Sequence, residues 1–290
     1  MAVGISVVIP SYNPPRELLA RLHASLCAQT WRDFEVIVVD DASNEPPYDL
    51  LEDPRFRVVY RERNAGPAVC RNAGAAEAES EYLFFTDTDC ELAPDTLRHA
   101  VAHLAHENAT MGNTITRTES VFGKAVALLG FPGGGCIGFD RVWRVDADGY
   151  TNSFSSCNLG FRRRTFEELG GFRAFPVAGG EDTVLAREMA DSGMPIRYVP
   201  EQVVYHVEKS NLRDFVRWQI TRGRGNYYIR QNVPEVGGYL RLRVWTFKNS
   251  LVAGPLYAPL VLPLIGLSVH YQLKGMRQEA RRAETDGDAC

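Results

Sequence analysis

The chain has 290 residues, 45% of them hydrophobic and 23% charged, with 25 Gly and 16 Pro. That composition excludes a disordered, collagenous or disulfide-scaffold protein and leaves ample material for a buried core. The net charge of −4 averages two unlike regions: residues 1–208 carry 19 Lys+Arg against 30 Asp+Glu (−11), residues 209–282 carry 13 against 3 (+10), and the tail from 283 adds −3. The acidic region is a poor nucleic-acid surface, whereas the basic region suits phosphate groups or an anionic membrane.

The elements can be read in chain order. Residues 5–10 (ISVVIP) form a β-branched run broken by Ser-Tyr-Asn-Pro-Pro, and Leu18, Leu19, Leu22 and Leu26 then recur at helical spacing. Strands are expected at 34–39, 56–60 and 82–86, and helices at 67–77, with Pro67 in its first turn, and at 94–106. Strands alternating with helices imply βαβ units and a mostly parallel sheet, and continuous apolar strands fit a sheet covered on both faces. Ligands of such sheets bind beyond the carboxyl ends of the strands. The polar clusters fall there: Ser11-Tyr12-Asn13, Asp40-Asp41 and Asp87-Thr88-Asp89. The first strand leads into PSYNPP rather than GxGxxG, and no GxxxxGK[ST] occurs, so dinucleotide and P-loop binding are not expected.

The six cysteines show no CxxC and read as reduced thiols of a cytosolic protein. Met1 leads directly into an apolar strand pattern, without the basic start and cleavage site of a signal peptide. Asp87 and Asp89 flank Thr88 where backbone pairing ends, and alternation directs both carboxylates to one side. Such hard oxygen donors suit Mg²⁺ or Mn²⁺, and a solvated turn is the alternative.

Six segments occur in order: VVIPSYN at 7–13, VVDDAS at 38–43, RNAGPAVCRNAG at 63–74, FFTDTDC at 84–90, CNLGFRRRTFEELGGF at 157–172 and GGED at 179–182. Together they resemble the family 2 glycosyltransferases over roughly residues 4–230. The resemblance implies a GT-A-type α/β fold, a Rossmann-like mostly parallel sheet with flanking helices, here followed by a C-terminal helical appendage. It implies a catalytic core at 1–208, with a nucleotide-sugar half at about 1–115 and an acceptor half at about 116–208, and a basic helical region at 209–290. The implied reaction is inverting, metal-dependent transfer of a sugar from a nucleotide-diphospho sugar, UDP-sugar favoured, to an acceptor hydroxyl.

Residue by residue, the resemblance places Pro10, Tyr12 and Asn13 in the nucleotide pocket. Asp41 would accept a hydrogen bond from the base, with Arg71 near base and phosphates, and Asp87 and Thr88 on the ribose or sugar side. Asp89 would ligate Mn²⁺ or Mg²⁺, with His206 as a further ligand. Asp182 would be the catalytic base, flanked by Gly180 and Glu181. Asn158 and Arg162–Arg164 would border donor sugar and acceptor. Four of these have a plainer reading as well: Asp41 a cap near Asn44, Asp182 an acidic residue in a helix's first turn, His206 a structural histidine, the Arg run a solvated face. Arg217-Trp218 resembles the QxxRW signature of processive members, but Asp214 stands at the Gln position, so a single addition is expected. A nucleotidyltransferase or a noncatalytic sugar- or membrane-binding scaffold are the competing functions.

Residues 251–269 contain no charge, close to the ~20 residues that span a bilayer, yet Pro255, Pro259 and Pro263 punctuate them. Arg241, Arg243 and Lys248 precede the segment, and Lys274, Arg277, Arg281 and Arg282 follow it. Positive charge on both sides disfavours crossing. The expectation is a re-entrant or interfacial element lying on the anionic cytoplasmic leaflet, making the enzyme peripheral to the membrane and suiting a lipid-linked acceptor; a packed helical pair or homodimer interface is the alternative.

Overall fold

The computed structural model describes residues 4–233 and 236–287; the side chains of 236–243, Arg241 and Arg243 among them, and of 286–287 lie outside the described ones, as does Cys290. The chain forms β1 (Ile5–Ser11), α1 (Arg16–Cys27), β2 (Phe34–Asp40), β3 (Phe56–Tyr60), α2 (Pro67–Ala76) and β4 (Tyr82–Phe85). Then come β5 (Cys90–Leu92), α3 (Thr96–Leu104), β6 (Ala109–Arg117), α4 (Val121–Ala127), α5 (Phe139–Val142), β7 (Tyr150–Thr151), β8 (Leu159–Arg162) and α6 (Arg163–Glu168). The remainder is α7 (Glu181–Asp191), β9 (Ile196–Val207), α8 (Leu212–Asn232), α9 (Val236–Ala253) and α10 (Ala258–Gly287).

One sheet of order β3-β2-β1-β4-β8-β6-β9-β5 runs through the molecule, with β7 paired to β9. β3, β2, β1 and β4 are mutually parallel, as are β6 and β9, while β8 enters antiparallel between β4 and β6. Alternation sorts the strand side chains into two cores. Ile5, Val7 and Ile9 pack with Leu19, Leu22 and Leu26 of α1, and Val8, Ile37 and Val39 pack with α2 and a group of phenylalanines that includes Phe85, Phe166 and Phe172. Burying each such aliphatic side chain stabilises the fold by about 1.5–3 kcal/mol.

α8 and α10 pack side by side at their glycines. A Cβ at Gly223 would lie 2.1 Å from the carbonyl oxygen of Gln272, and one at Gly275 2.2 Å from that of Ile220. Glu279 of α10, 1% exposed, accepts hydrogen bonds from Arg224 Nε (2.7 Å) and Tyr228 (2.9 Å) of α8. Val261 and Leu264 close a third apolar cluster with α4 and Phe215.

The prolines of 251–269 break the chain less than their number suggests. Pro255 opens a 3₁₀ turn (Pro255–Tyr257) between α9 and α10, and Pro259 sits in the first turn of α10, where no intrahelical donor is lost. Pro263 lies inside the helix, so a single helical hydrogen bond is forgone there. Pro255–Thr285 is long and apolar enough by composition to cross a membrane, with mean hydropathy 1.3 over its most apolar window.

Candidate active site

The carboxyl ends of β1, β2 and β4 converge on a cleft of about 950 Å³. Pro10, Tyr12, Asp41, Arg71, Asp87, Thr88, Asp89, Glu181, Asp182, His206 and Trp218 all line it, with the ends of β1, β2 and β4 on one side and residues of α7 and α8 on the other. Residues separated by more than a hundred positions meet here because β9 returns beside β5 and β6.

Asn13, by contrast, is committed to the scaffold. Its backbone N–H donates to Ser43 Oγ (2.7 Å) and its side-chain oxygen accepts from the Asn44 N–H (3.0 Å), locking the loop after β1 to the loop after β2. The backbone takes φ 45° there, a left-handed conformation that Asn tolerates better than most residues. Asp41, 4% exposed, accepts from the backbone N–H groups of Ala65 (2.9 Å) and Gly66 (2.8 Å). It therefore anchors the loop entering α2 rather than capping a segment at Asn44, while still forming cleft wall.

Arg71 is 3% exposed and links two elements. Nη2 donates to Asp87 Oδ1 (2.7 Å) and Nη1 to Glu181 Oε1 (3.1 Å), tying the end of β4 to the start of α7. Glu181, itself buried, is thereby half of an ion pair. The pairing separates the two carboxylates of the Asp-Thr-Asp turn: Asp87 faces Arg71, whereas Asp89 Oδ2 lies 3.3 Å from His206 Nε2 and 3.9 Å from Lys209 Nζ. Cross-strand pairing of Cys90 with His206 fixes that second contact.

The donor chemistry at Asp89 fits a divalent cation. His206 Nδ1 donates to the Val207 carbonyl (2.7 Å), which in the neutral ring leaves the Nε2 lone pair toward the Asp89 carboxylate. An imidazole nitrogen and a carboxylate oxygen at that distance can share either a proton or a divalent cation. Ligating atoms of Asp89, Cys90 and His206 all lie within 4.8 Å of one another. Hydrogen bonding with Cys157, then burial, push the Cys90 thiol well above its usual range, and a protonated thiol is a poor ligand. An oxygen–nitrogen set of Asp89 and His206 remains, suited to Mn²⁺ or Mg²⁺.

Asp182 stands in the first turn of α7 after Gly180, whose φ of 100° and tight fit against Ile229 and the Gly225 carbonyl require glycine. Oδ1 accepts from the Thr183 N–H (2.7 Å). Burial, with the Glu181 charge beside it, raises the Asp182 carboxyl to about 6, opposed by that N–H, Arg71 and Arg222. Asp182 also lines a second chamber of about 180 Å³, walled by Phe131, Trp143, Phe154, Trp218 and Arg222. Asp182 therefore borders both spaces.

Three expected site regions lie elsewhere. Asn158 is wholly buried, its Nδ2 donating to the Gln202 carbonyl (3.0 Å) and its side-chain oxygen accepting from Gln202 Nε2 (3.0 Å), at the bulge where β6 shifts register against β9. A buried amide is kept by its hydrogen bonds, and here they are spent on the scaffold. Arg162 Nε donates to the Leu104 (2.8 Å) and Glu107 (3.0 Å) carbonyls at the end of α3, Arg163 bonds Ala78, and Arg164 pairs with Glu168 on the surface. Arg217 is an exposed side chain beside Asp214, one turn back on α8, while Trp218 on the same helix reaches both chambers. Ser155, Pro132, Phe175 and Lys209 are cleft residues that no motif announced; only the charge of Lys209, three places after His206, is a signal in hindsight.

This combination, a nucleotide-sized cleft at the carboxyl end of a parallel half-sheet with an Asp-X-Asp turn facing a helix-borne Asp, defines a GT-A glycosyltransferase architecture. The glycosyl transferase family 2 profile matches residues 6–170, and the chain belongs to that family. Succinoglycan biosynthesis protein ExoW of Rhizobium meliloti is 38% identical over 112 residues, 36% of this chain and 35% of that protein. An N-acetylglucosaminyltransferase of Bradyrhizobium diazoefficiens is 25% identical over 93% of this chain and 58% of its own length. The alignments thus span well under two thirds of these curated relatives. Among solved structures, mannosyltransferase PcManGT from Pyrobaculum calidifontis, in complex with GDP-Man and Mn²⁺, superposes with TM-score 0.62 at 20% identity, covering 97% of this chain and 88% of that one. Staphylococcus aureus TarS 1–349, in complex with UDP-GlcNAc, gives 0.58 at 19% identity, covering 86% and 72%.

Proposed function

We propose that the chain is an inverting, metal-dependent glycosyltransferase that makes a single addition from a nucleotide-diphospho sugar, a UDP-sugar in preference, to an acceptor hydroxyl. The observation that carries this reading is the position of Asp182, a carboxylate on a rigid helix start shared by the two chambers. The donor occupies the larger chamber and the acceptor hydroxyl enters from the smaller. Asp182 accepts the proton of that hydroxyl as its oxygen attacks the anomeric carbon from the face opposite the nucleotide, whose diphosphate leaves. Asp89 and His206 would hold Mn²⁺ or Mg²⁺, which supplies Lewis-acid stabilisation of the leaving diphosphate. Lys209 adds a fixed positive charge beside Asp89, and Arg71 orients Asp87 and the start of α7.

Residues 1–208 act as the catalytic core and 209–290 as an appendage. The names of the relatives, a succinoglycan biosynthesis protein and an N-acetylglucosaminyltransferase, support glycan or glycoconjugate synthesis, which suits an enzyme peripheral to the cytoplasmic face of a membrane and an acceptor that is lipid-linked.

The test is a thermal-shift screen of UDP- and GDP-sugars, each with and without Mn²⁺, followed by assay of donor consumption. A ligand that binds only the folded state raises its melting temperature. A shift that requires both nucleotide sugar and cation, and that Asp89→Ala abolishes, supports the reading. Cation-independent binding, or donor turnover unaffected in Asp89→Ala, overturns the metal assignment.

A further inference from the structure

α10 has two opposite faces. One packs on α8 and α4 through Val261, Leu264, Gly275 and Glu279, all buried. Along the other, Leu262, Val269 and Leu273 lie exposed at spacings of about one or two turns, and the same face continues into Lys274, Arg277 and Arg281. The elbow leading into the helix is equally bare: Val252 is 74% exposed and Leu256 91%. Lys248 stands exposed before the elbow, and no charged residue intervenes between it and Lys274. Among the described residues no carboxylate pairs with Lys248, Lys274 or Arg277.

Scattered exposed apolar residues need no explanation, but a contiguous apolar elbow and stripe running into basic side chains does. We propose that the α9–α10 elbow and the outward face of α10 form a monotopic anchor that lies in the interface of an anionic bilayer. Val252, Leu256, Leu260 and Leu262 enter the acyl boundary, while Lys248, Lys274 and Arg277 meet lipid phosphates. The basic residues lie about 21 Å along the helix from Leu260, so a helix lying flat engages both at once. Spanning is disfavoured by the opposite face. Withdrawing α10 into lipid would strip Glu279 from Arg224 and Tyr228, leaving its carboxylate unpaired in an apolar medium. Charge complementarity selects a lipid surface over a second copy of the chain, because two copies would bring the same cations together. The surface deepens the peripheral membrane placement inferred above, and vesicle binding reads it separately from sugar transfer.

The experiment is cosedimentation of the full chain with vesicles of phosphatidylcholine alone or mixed with phosphatidylglycerol. Wild type should pellet with the anionic vesicles and bind phosphatidylcholine roughly tenfold or more weakly. Leu256→Asp/Leu260→Asp should abolish binding, and Lys274→Glu/Arg277→Glu should erase the preference for phosphatidylglycerol, with unchanged circular dichroism and Mn²⁺-dependent nucleotide-sugar binding. Leu256→Trp supplies a positive readout, a blue-shifted emission on vesicle addition that brominated lipids quench. Wild type remaining in the supernatant with anionic vesicles, or binding both vesicle types equally, overturns the proposal. So does a lipid-free dimer that Leu256→Asp converts to monomer, which assigns the elbow to a second copy.

Discussion

In the proposed reaction Asp182 takes the proton, while Arg71 ties the neighbouring Glu181 to Asp87. Because burial raises the Asp182 carboxyl to about 6, its basic form is lost as the pH falls through that value. The acid limb of kcat/KM should therefore lie near pH 6, measured with the nucleotide sugar that gives the largest thermal shift; a limb near 4 removes Asp182 from that role. Asp182→Asn should lower transfer by about 10³-fold or more while nucleotide-sugar affinity stays within a few-fold. The same raised carboxyl means the folded state holds more protons than the unfolded chain between the ordinary carboxylate range and about pH 6. Stability contributed by this group consequently falls as the pH rises through that window, and Asp182→Asn should melt no lower than wild type at pH 7. Arg71→Ala would strand Glu181 in a buried position, a loss of about 3–5 kcal/mol, seen as a fall in melting temperature on the order of 10 °C.

At the scale of elements, the site depends on glycines that let helices approach. A Cβ at Gly225 of α8 would sit 2.4 Å from the carbonyl oxygen of Gly179, just before α7. Alanine is favoured over glycine in a helix by about 1 kcal/mol, yet here the contact is with backbone, which does not rotate aside. Gly225→Ala should displace the start of α7 and reduce transfer more than nucleotide-sugar affinity; transfer at the wild-type rate would show that α7 and α8 adjust independently. The β5–β9 register acts at the same scale. His206→Ala removes the nitrogen that faces Asp89, so the Mn²⁺ concentration for half-maximal donor binding should rise about tenfold or more, with circular dichroism unchanged. Apart from β5, a three-residue strand that no apolar run announces, the strands and helices of the first hundred residues were legible to within a few residues, since apolar runs bounded by Asn, Pro and Asp leave little choice of period. The register of β8 and β9 was not, because it is set by pairing with strands distant in the chain.

Across the whole molecule, the charge division of the sequence becomes two surfaces. The acidic region provides Asp41, Asp87, Asp89, Glu181 and Asp182 along one cleft, and the basic region provides the exposed cations of α10. The sequence by itself determined the family, the alternating α/β order, the strand ends that line the cleft, and the uncharged segment flanked by Lys and Arg. These are local properties, fixed by hydrophobic period and by motifs a few residues long. Tertiary structure decided which polar residues were free to face a ligand. Asn13, Asn158 and Arg162 look as reactive in the sequence as Asp89 and Trp218, but the Asn13 side-chain oxygen is taken by the Asn44 N–H, the Asn158 amide by Gln202 and the Arg162 Nε by the end of α3. A side chain's availability depends on what the fold brings within about 3 Å of it, and that neighbour is commonly remote in the sequence.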